Sequence, residues 1–204
     1  MIKNYIFDFG NVLARFYPEE FTAHFIKEPE PAQQVCDIVF DRLYWDRLDA
    51  GTITDQEVKE GIKGRLPKNL YDTACKIYDS WVELLSPVDG MKKLVADIKK
   101  NGGKLYLLSN ISIGFAESYH KNNWVSSLFS LFDGLVFSGP IGITKPEREI
   151  FCHLLNTYSL KAEECIFIDD SKINISGCEK VGIRGYLFNG DAKALRKELN
   201  IKAE

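Results

Sequence analysis

No apolar stretch in this 204-residue chain approaches the roughly 20 residues that span a bilayer, so no segment reads as a membrane anchor. The chain also lacks an excess of either charge. Lys and Arg number 26 against 29 Asp and Glu, a formal net charge of −3. That balance gives no electrostatic footprint for nucleic acid or an anionic membrane surface. Cysteine is sparse and unpaired in pattern: five residues, an odd number, with no zinc-ligand spacing. Cys36, Cys75, Cys152, Cys165 and Cys178 are expected to be free thiols, most of them buried, in a reducing compartment. His24, His120 and His153 are scattered and form no metal-ligand set. There is no internal repeat and no low-complexity tract, and a signal peptide is not expected, since Met1-Ile2-Lys3-Asn4 runs straight into an apolar strand. The expected location is cytoplasmic. The expected partner is a small molecule, with no nucleic acid and no membrane.

What is present is ordinary in amount and specific in order. Hydrophobic residues make up 45% and charged residues 27%, as in a soluble globular protein. Short apolar runs alternate with amphipathic helical patterns, the signature of an α/β fold with a parallel sheet. The pattern predicts strands at 3–7, 104–108, 134–137, 165–168 and 185–188. It predicts helices at 90–100, 113–122, 147–158, 173–181 and 192–199. Met91, Leu94, Val95 and Ile98 form the buried stripe of the first of these, and Asn101-Gly102-Gly103 ends it. Right-handed crossovers fold the set into a doubly wound, Rossmann-like sheet. The stretch from about 15 to 85 is too long for one connection and reads as helix only, at 21–26, 33–45, 55–65 and 70–85. Thr54-Asp55-Gln56-Glu57 is a capping box that starts the third. The expected division is therefore a core of residues 1–14 and 86–204 with a helical cap of residues 15–85.

Four segments carry candidate chemistry. The strand Tyr5-Ile6-Phe7 ends in Asp8 and turns at once through Phe9-Gly10-Asn11. Asp8 either caps that turn or meets a ligand, because ligands of open α/β sheets bind outside the carboxyl ends of the strands. The second strand ends in Ser109-Asn110, which suits either a helix cap or an anion contact. Lys145 precedes Pro146, which can open a helix; a loop lysine is either a solvated charge or a counter-charge for the site. The fourth strand ends in Asp169-Asp170, either two turn acids or a pair that needs a cation. A hard cation such as Mg²⁺ would relieve their repulsion with oxygen ligands. Taken in order, these residues suit transfer of a phosphoryl group through an aspartyl intermediate.

With these four motifs the chain resembles the haloacid dehalogenase superfamily over nearly its whole length, and most of all the branch with a helical cap inserted after the first motif. The resemblance implies that Asp8 is the nucleophile, Ser109 the phosphate-binding hydroxyl and Lys145 the charge-balancing lysine. It implies Mg²⁺ as cofactor, held by Asp8, Asp170 and the main-chain carbonyl of Gly10, with Asp169 as a neighbouring acid. Asn110 joins Ser109 as a substrate contact. Arg15, Phe16 and Tyr17 follow the nucleophile turn and are candidates to reach the crevice, Arg15 as a second anion contact. Arg47 and Asp49 are candidate cap contacts, and Trp45 is expected in the core rather than as a stacking platform. The Asp-x-Gly-Asn-Val form is similar to sugar-phosphate phosphatases. The Asp-Asp pair followed by Asn174 resembles the N-terminal domain of soluble epoxide hydrolases.

One position departs from the family's phosphatases. They carry a second aspartate, an acid/base, where this chain has Gly10. Such a group is worth ~10²–10⁴ in rate. The leading expectation is a phosphoric monoester hydrolase acting on a small phosphorylated metabolite such as a sugar phosphate. The alternatives are a 2-haloacid dehalogenase, a phosphonate hydrolase using Lys59 or Lys63, and a non-catalytic phosphometabolite- or protein-binding domain. Dehalogenases carry uncharged residues where Asp169 and Asp170 stand.

Overall fold

The structure is a computed structural model, and it describes residues 1–202. Its strands are β1 Asn4–Phe7, β2 Ala14–Arg15, β3 Ser86–Pro87, β4 Lys104–Ser109, β5 Gly134–Phe137, β6 Cys165–Asp169 and β7 Arg184–Leu187. Its helices are α1 Pro18–Phe25, α2 Pro29–Val39, α3 Arg42–Asp49, α4 Asp55–Arg65, α5 Lys68–Leu84, α6 Met91–Lys100, α7 Ile113–Ser118, α8 Asn123–Phe129, α9 Ser138–Ile141, α10 Arg148–Thr157, α11 Lys172–Glu179 and α12 Ala192–Glu198. Five strands form one parallel sheet in the order β5-β4-β1-β6-β7. This is the doubly wound α/β architecture expected from the sequence. No helix among the described residues is long and apolar enough to cross a membrane.

The sheet's register follows from its period-two side chains. Tyr5 and Phe7 of β1 join Leu105 and Leu107 of β4 and Ile166 and Ile168 of β6 on one face. Ile6, Tyr106, Leu108 and Phe167 point to the other. Both faces are apolar, as a parallel strand covered on both sides requires. The first face packs on α6, whose stripe Met91, Leu94, Val95 and Ile98 is fully buried. The second packs on α10 and α11 through Ile150, Phe151, Leu154 and Ile175. Gly102, at φ 83°, supplies the left-handed turn after α6, and Gly103 then passes against Ile98 and Tyr5 with no room for a side chain.

Between β2 and β3 the chain forms five helices and no strand. The two short strands pair antiparallel, Ala14 with Pro87 and Arg15 with Ser86, so the segment leaves and returns at one point. Its own core includes Val35, Val39, Leu48, Val58, Ile62 and Ile77. The capping box at α4 is present: the Glu57 amide donates to Thr54 Oγ1 at 3.2 Å and the Thr54 amide to Glu57 Oε2 at 2.8 Å.

Three local expectations are corrected. The single helix expected at 33–45 is two, α2 and α3. Asp41 breaks it by accepting from the Leu43 amide at 2.9 Å, which caps the new helix. The helix expected at 113–122 stops at Ser118. After a short 3₁₀ turn, Asn122 caps α8 through the amides of Trp124 and Val125. Pro146 does not open α10: Glu147 is its N-cap, and Pro146 follows a cis peptide bond in the loop before it.

Leu94→Ala should cost about 2–5 kcal/mol of stability, because a fully buried side chain on the sheet-facing stripe leaves a cavity behind it. Urea unfolding checks this, and a loss below about 1 kcal/mol would mean that the α6 stripe is not core.

Candidate active site

Asp8 stands immediately after β1. Its amide donates to the Ile168 carbonyl of β6 at 2.9 Å, which carries the carboxylate just past the sheet's carboxyl edge. The chain then closes a tight turn in which the amides of Leu13 and Ala14 both bond to the Phe9 carbonyl at 2.9 Å. Asn11 takes the left-handed conformation at φ 55°, which asparagine tolerates well. Its side chain accepts from the Phe16 amide at 3.1 Å, and its amide pulls the Asp170 pKa down against burial. Gly10 is not in the left-handed region, and a Cβ built there would meet nothing within 4 Å. The turn therefore does not demand glycine, and the space above it is open.

Lys145 is not a solvated loop charge. Its Nζ lies 2.7 Å from Asp8 Oδ1 and 2.7 Å from Asp169 Oδ2, with its side chain 2% exposed. Burial opposes its charge, but the two carboxylates overcome that and raise its pKa. Burial likewise pushes Asp8 up, to about 7, against the lowering pull of Lys145. Asp169 is fully enclosed. Besides Lys145 it accepts from the Ser171 amide at 2.8 Å and from Asn174 Nδ2 at 3.1 and 3.2 Å. Asp170 faces the cavity, and desolvation together with Asp169 beside it pushes its pKa up. Carboxylate oxygens of Asp8, Asp169 and Asp170 all lie within 4.8 Å of one another, the spacing of a shared cation site.

Ser109, at the end of β4, is buried and lines the same cavity. Asn110 lines it too, but its amide is engaged elsewhere. Asn110 Nδ2 donates to the Lys145 carbonyl at 3.0 Å, and the Lys145 amide donates to Asn110 Oδ1 at 2.8 Å. The residue expected to touch substrate thus clamps the backbone of the lysine loop. Arg15 is not brought to the site: it pairs with Asp89 at 2.6 Å beside the β2–β3 pair and lies outside the cavity lining. Tyr17, Arg47, Lys59 and Lys63 are also outside the lining. Lys59 is paired with Asp79 at 2.6 Å, and Lys63 lies over the Tyr71 ring.

The cavity, about 250 Å³, has a polar floor, an aromatic side and a charged stretch of α3 that includes Arg42 and Asp46. Its floor is the polar set around Asp8. Its side is aromatic: Phe16, Phe40, Trp45 and Trp81, with centroids 5.1 Å apart for Phe16–Trp45 and 5.3 Å for Trp45–Trp81. Trp45 was expected in the core; it packs in this cluster, bonds the Val39 carbonyl through Nε1 at 2.9 Å, and still presents surface to the cavity. Asp49 lines the rim from the last turn of α3. Sequence reasoning missed the roles of Asn11 and Asn110 as clamps. The only signal was that each is an amide near a chemical residue in sequence.

A family model described as haloacid dehalogenase-like hydrolase matches residues 2–182. Among curated proteins, the chain is 25% identical over 183 residues to a sesquiterpene phosphatase, astK, of Aspergillus oryzae, covering 90% of this chain and 88% of that one. It is 26% identical over 207 residues to a D-ribitol-5-phosphate phosphatase of Bacteroides thetaiotaomicron, covering 98% of each. Among solved structures, a magnesium complex of a HAD family enzyme from B. thetaiotaomicron is similar at TM-score 0.67 and 25% identity, covering 95% of this chain and 98% of that one.

Lys145→Ala should destabilise the fold by about 3–5 kcal/mol, since it strands two buried carboxylates. Urea unfolding in chelator at neutral pH measures it; an unchanged midpoint would show that the lysine does not hold this cluster together.

Proposed function

Because the chain belongs to the haloacid dehalogenase-like hydrolase family, we propose that it is a Mg²⁺-dependent phosphatase that cleaves a small phosphorylated metabolite through an aspartyl-phosphate on Asp8. The observation that carries this reading is the buried ammonium of Lys145 held 2.7 Å from both Asp8 and Asp169, with Asp170 open to the same cavity. That is a site built to gather negative charge. Three carboxylates against one ammonium leave two formal negative charges, and all the donors are hard oxygens, which suits a divalent cation such as Mg²⁺. Asp8, Asp170 and the Gly10 carbonyl would hold it, with Asp169 beside them, and once bound it would draw charge from the phosphoryl oxygens.

The chain's own residues do the rest. Asp8 attacks phosphorus. Lys145 neutralises one phosphoryl oxygen and keeps Asp8 aligned by its short ion pair. Ser109 offers a hydroxyl to another oxygen. Asn110 and Asn174 hold Lys145 and Asp169 in place, so the site need not reorganise on binding. Residues 15–85 act as a cap over a core of residues 1–14 and 86–204, closing the crevice against water. The Asp169-Asp170 pair argues against a metal-free dehalogenase, where added negative charge beside the nucleophile would only repel. Five free thiols support the expected cytoplasmic location.

The aromatic wall favours a particular leaving group. Phe16, Phe40, Trp45 and Trp81 offer flat apolar surface and few hydrogen bonds, so the organic part of the substrate is a compact apolar or ring-bearing group rather than an open polyol. Asp8→Asn should lose at least about 10³-fold in turnover of 4-nitrophenyl phosphate, and chelator should silence the wild type. Substantial hydrolysis by Asp8→Asn, or full activity in chelator, would refute the reading. Benzyl phosphate should exceed ribitol 5-phosphate in kcat/KM by about tenfold or more, and Trp45→Ala should erase that gap. A preference for the polyol ester would reverse the assignment of leaving group.

A further inference from the structure

Gly10 leaves the reaction without a proton donor at the position where the turn would present one, yet the cavity is not without an acid. Asp49 lines the same space as Asp8, Gly10, Ser109 and Asp170. It comes from the last turn of α3, in the five-helix segment, and lines the cavity into which a side chain at Gly10 would project without meeting anything within 4 Å. Its place is set by backbone contact rather than by a flexible arm. Gly51, two residues on, sits at φ 66° with its Cα so close to Gly139 of α9 that a Cβ would lie 2.2 Å from the Gly139 carbonyl oxygen. Only glycine allows that approach, and it seats the end of α3 against α9, the short helix that follows β5.

We propose that Asp49 is the catalytic acid and base of this enzyme, supplied from the helical segment in place of the side chain that Gly10 lacks. This role rests on the phosphatase reading above. In the first step an Asp8 oxygen forms a bond to phosphorus as the bond from phosphorus to the leaving oxygen breaks. The leaving oxygen takes the Asp49 proton and departs as an alcohol. In the second step a water oxygen bonds to phosphorus, the Asp8–phosphorus bond breaks, and the Asp49 carboxylate takes the water's proton. Inorganic phosphate leaves and Asp49 is again protonated, so the cycle closes with no other reactant.

The surroundings of Asp49 suit that cycle. It has no hydrogen-bond or ion-pair partner among the described residues, whereas Asp46 on the same helix is paired with Arg42 at 2.8 Å. Desolvation first, and then the charge of Asp46, push its carboxyl up to about 7; Asp8 across the cavity adds to the rise, while Lys145 and Arg42 oppose it. Asp170 faces the same cavity. The negative end of α3 works in the same direction as the rise. A carboxyl poised there is protonated often enough to donate near neutral pH and ionised readily enough to accept afterwards. Since the acid form is needed for ester cleavage, kcat/KM for an alkyl ester should fall as pH rises through about 7.

The test compares two esters of similar size, benzyl phosphate and 4-nitrophenyl phosphate, with Mg²⁺ present. Benzyl alkoxide needs a proton to leave and nitrophenolate does not. Asp49→Asn should lower kcat/KM for benzyl phosphate by ~10²–10⁴, and for 4-nitrophenyl phosphate by less than about tenfold. The variant should also show a burst of one nitrophenolate per site followed by slow turnover, because hydrolysis of the phosphorylated Asp8 has lost its base. Its benzyl phosphate profile should lose the decline near pH 7. Asp49→Glu should recover part of the rate, and adding Gly10→Asp to Asp49→Asn should recover benzyl phosphate turnover, since a side chain at Gly10 meets open space. Thermal melting confirms that each variant is folded. Equal losses on both esters, or no loss on either, would overturn the role of Asp49 alone. A wild type inert toward both esters would instead overturn the phosphatase reading, and this role with it.

Discussion

The site depends on one buried cation. Lys145 is almost wholly enclosed, and an ammonium there is tolerated only because Asp8 and Asp169 each lie 2.7 Å from it. Those three residues come from the ends of β1 and β6 and from the loop before α10. Nothing local brings them together; the order β5-β4-β1-β6-β7 does, by placing β1 between β4 and β6. The charge cluster in turn dictates its supports. Asn110, at the end of β4, clamps the backbone of Lys145, and Asn174, in the first turn of α11, holds Asp169 by both oxygens. Each clamp removes a degree of freedom that would otherwise let the buried charges drift apart.

A second constraint ties the five-helix segment to the sheet. Aromatic rings run without a break from Phe16 through Trp81 to Phe115 and Phe9, with centroids 5.7, 5.7 and 5.3 Å apart. Such pairs contribute about 0.5–1.5 kcal/mol each beyond the area they bury. One surface of this cluster is core and another is cavity wall, so the rings that fix the segment's position also shape what the site admits. The close backbone approach of Gly51 to Gly139 is a second anchor, at the end of α3. Together they hold α3 beside the cavity that Asp8 lines, so that a carboxyl on that helix shares the space outside the sheet's edge.

The distribution of acid groups follows from this arrangement. Gly10 adds no carboxyl to the three acids held against one lysine and leaves the space above its turn open. Asp49 lies across the cavity, near enough for Asp8 and Lys145 to act on it and far enough to have its own desolvated surroundings.

Much of the fold was legible in the chain, because periodicity is a local property. Each of the five sheet strands lies within one residue of its expected position at either end, and the α6 stripe and the α4 capping box are where the pattern put them. The misses were breaks decided by single side chains, Asp41 between α2 and α3 and Asn122 before α8. In each an apolar pattern ran on while a polar side chain captured an amide and restarted the helix. The chemical residues Asp8, Ser109, Lys145 and Asp170 could be named from strand ends and turn chemistry, but their state could not. Burial of Lys145, the diversion of Asn110 to backbone and of Arg15 to Asp89, and the two-sided use of Trp45 are all consequences of long-range packing. The carboxyl of Asp49 is the extreme case. In sequence it is one acid among 29 acidic residues near a helix end; its desolvation and the charges of Asp8 and Lys145 that act on it exist only once residues more than 40 positions away are folded against it. Sequence alone determined which residues line each face of each element, because side-chain direction repeats with the backbone. Tertiary structure decided which charges meet, because electrostatic environment depends on distance through space and on excluded water.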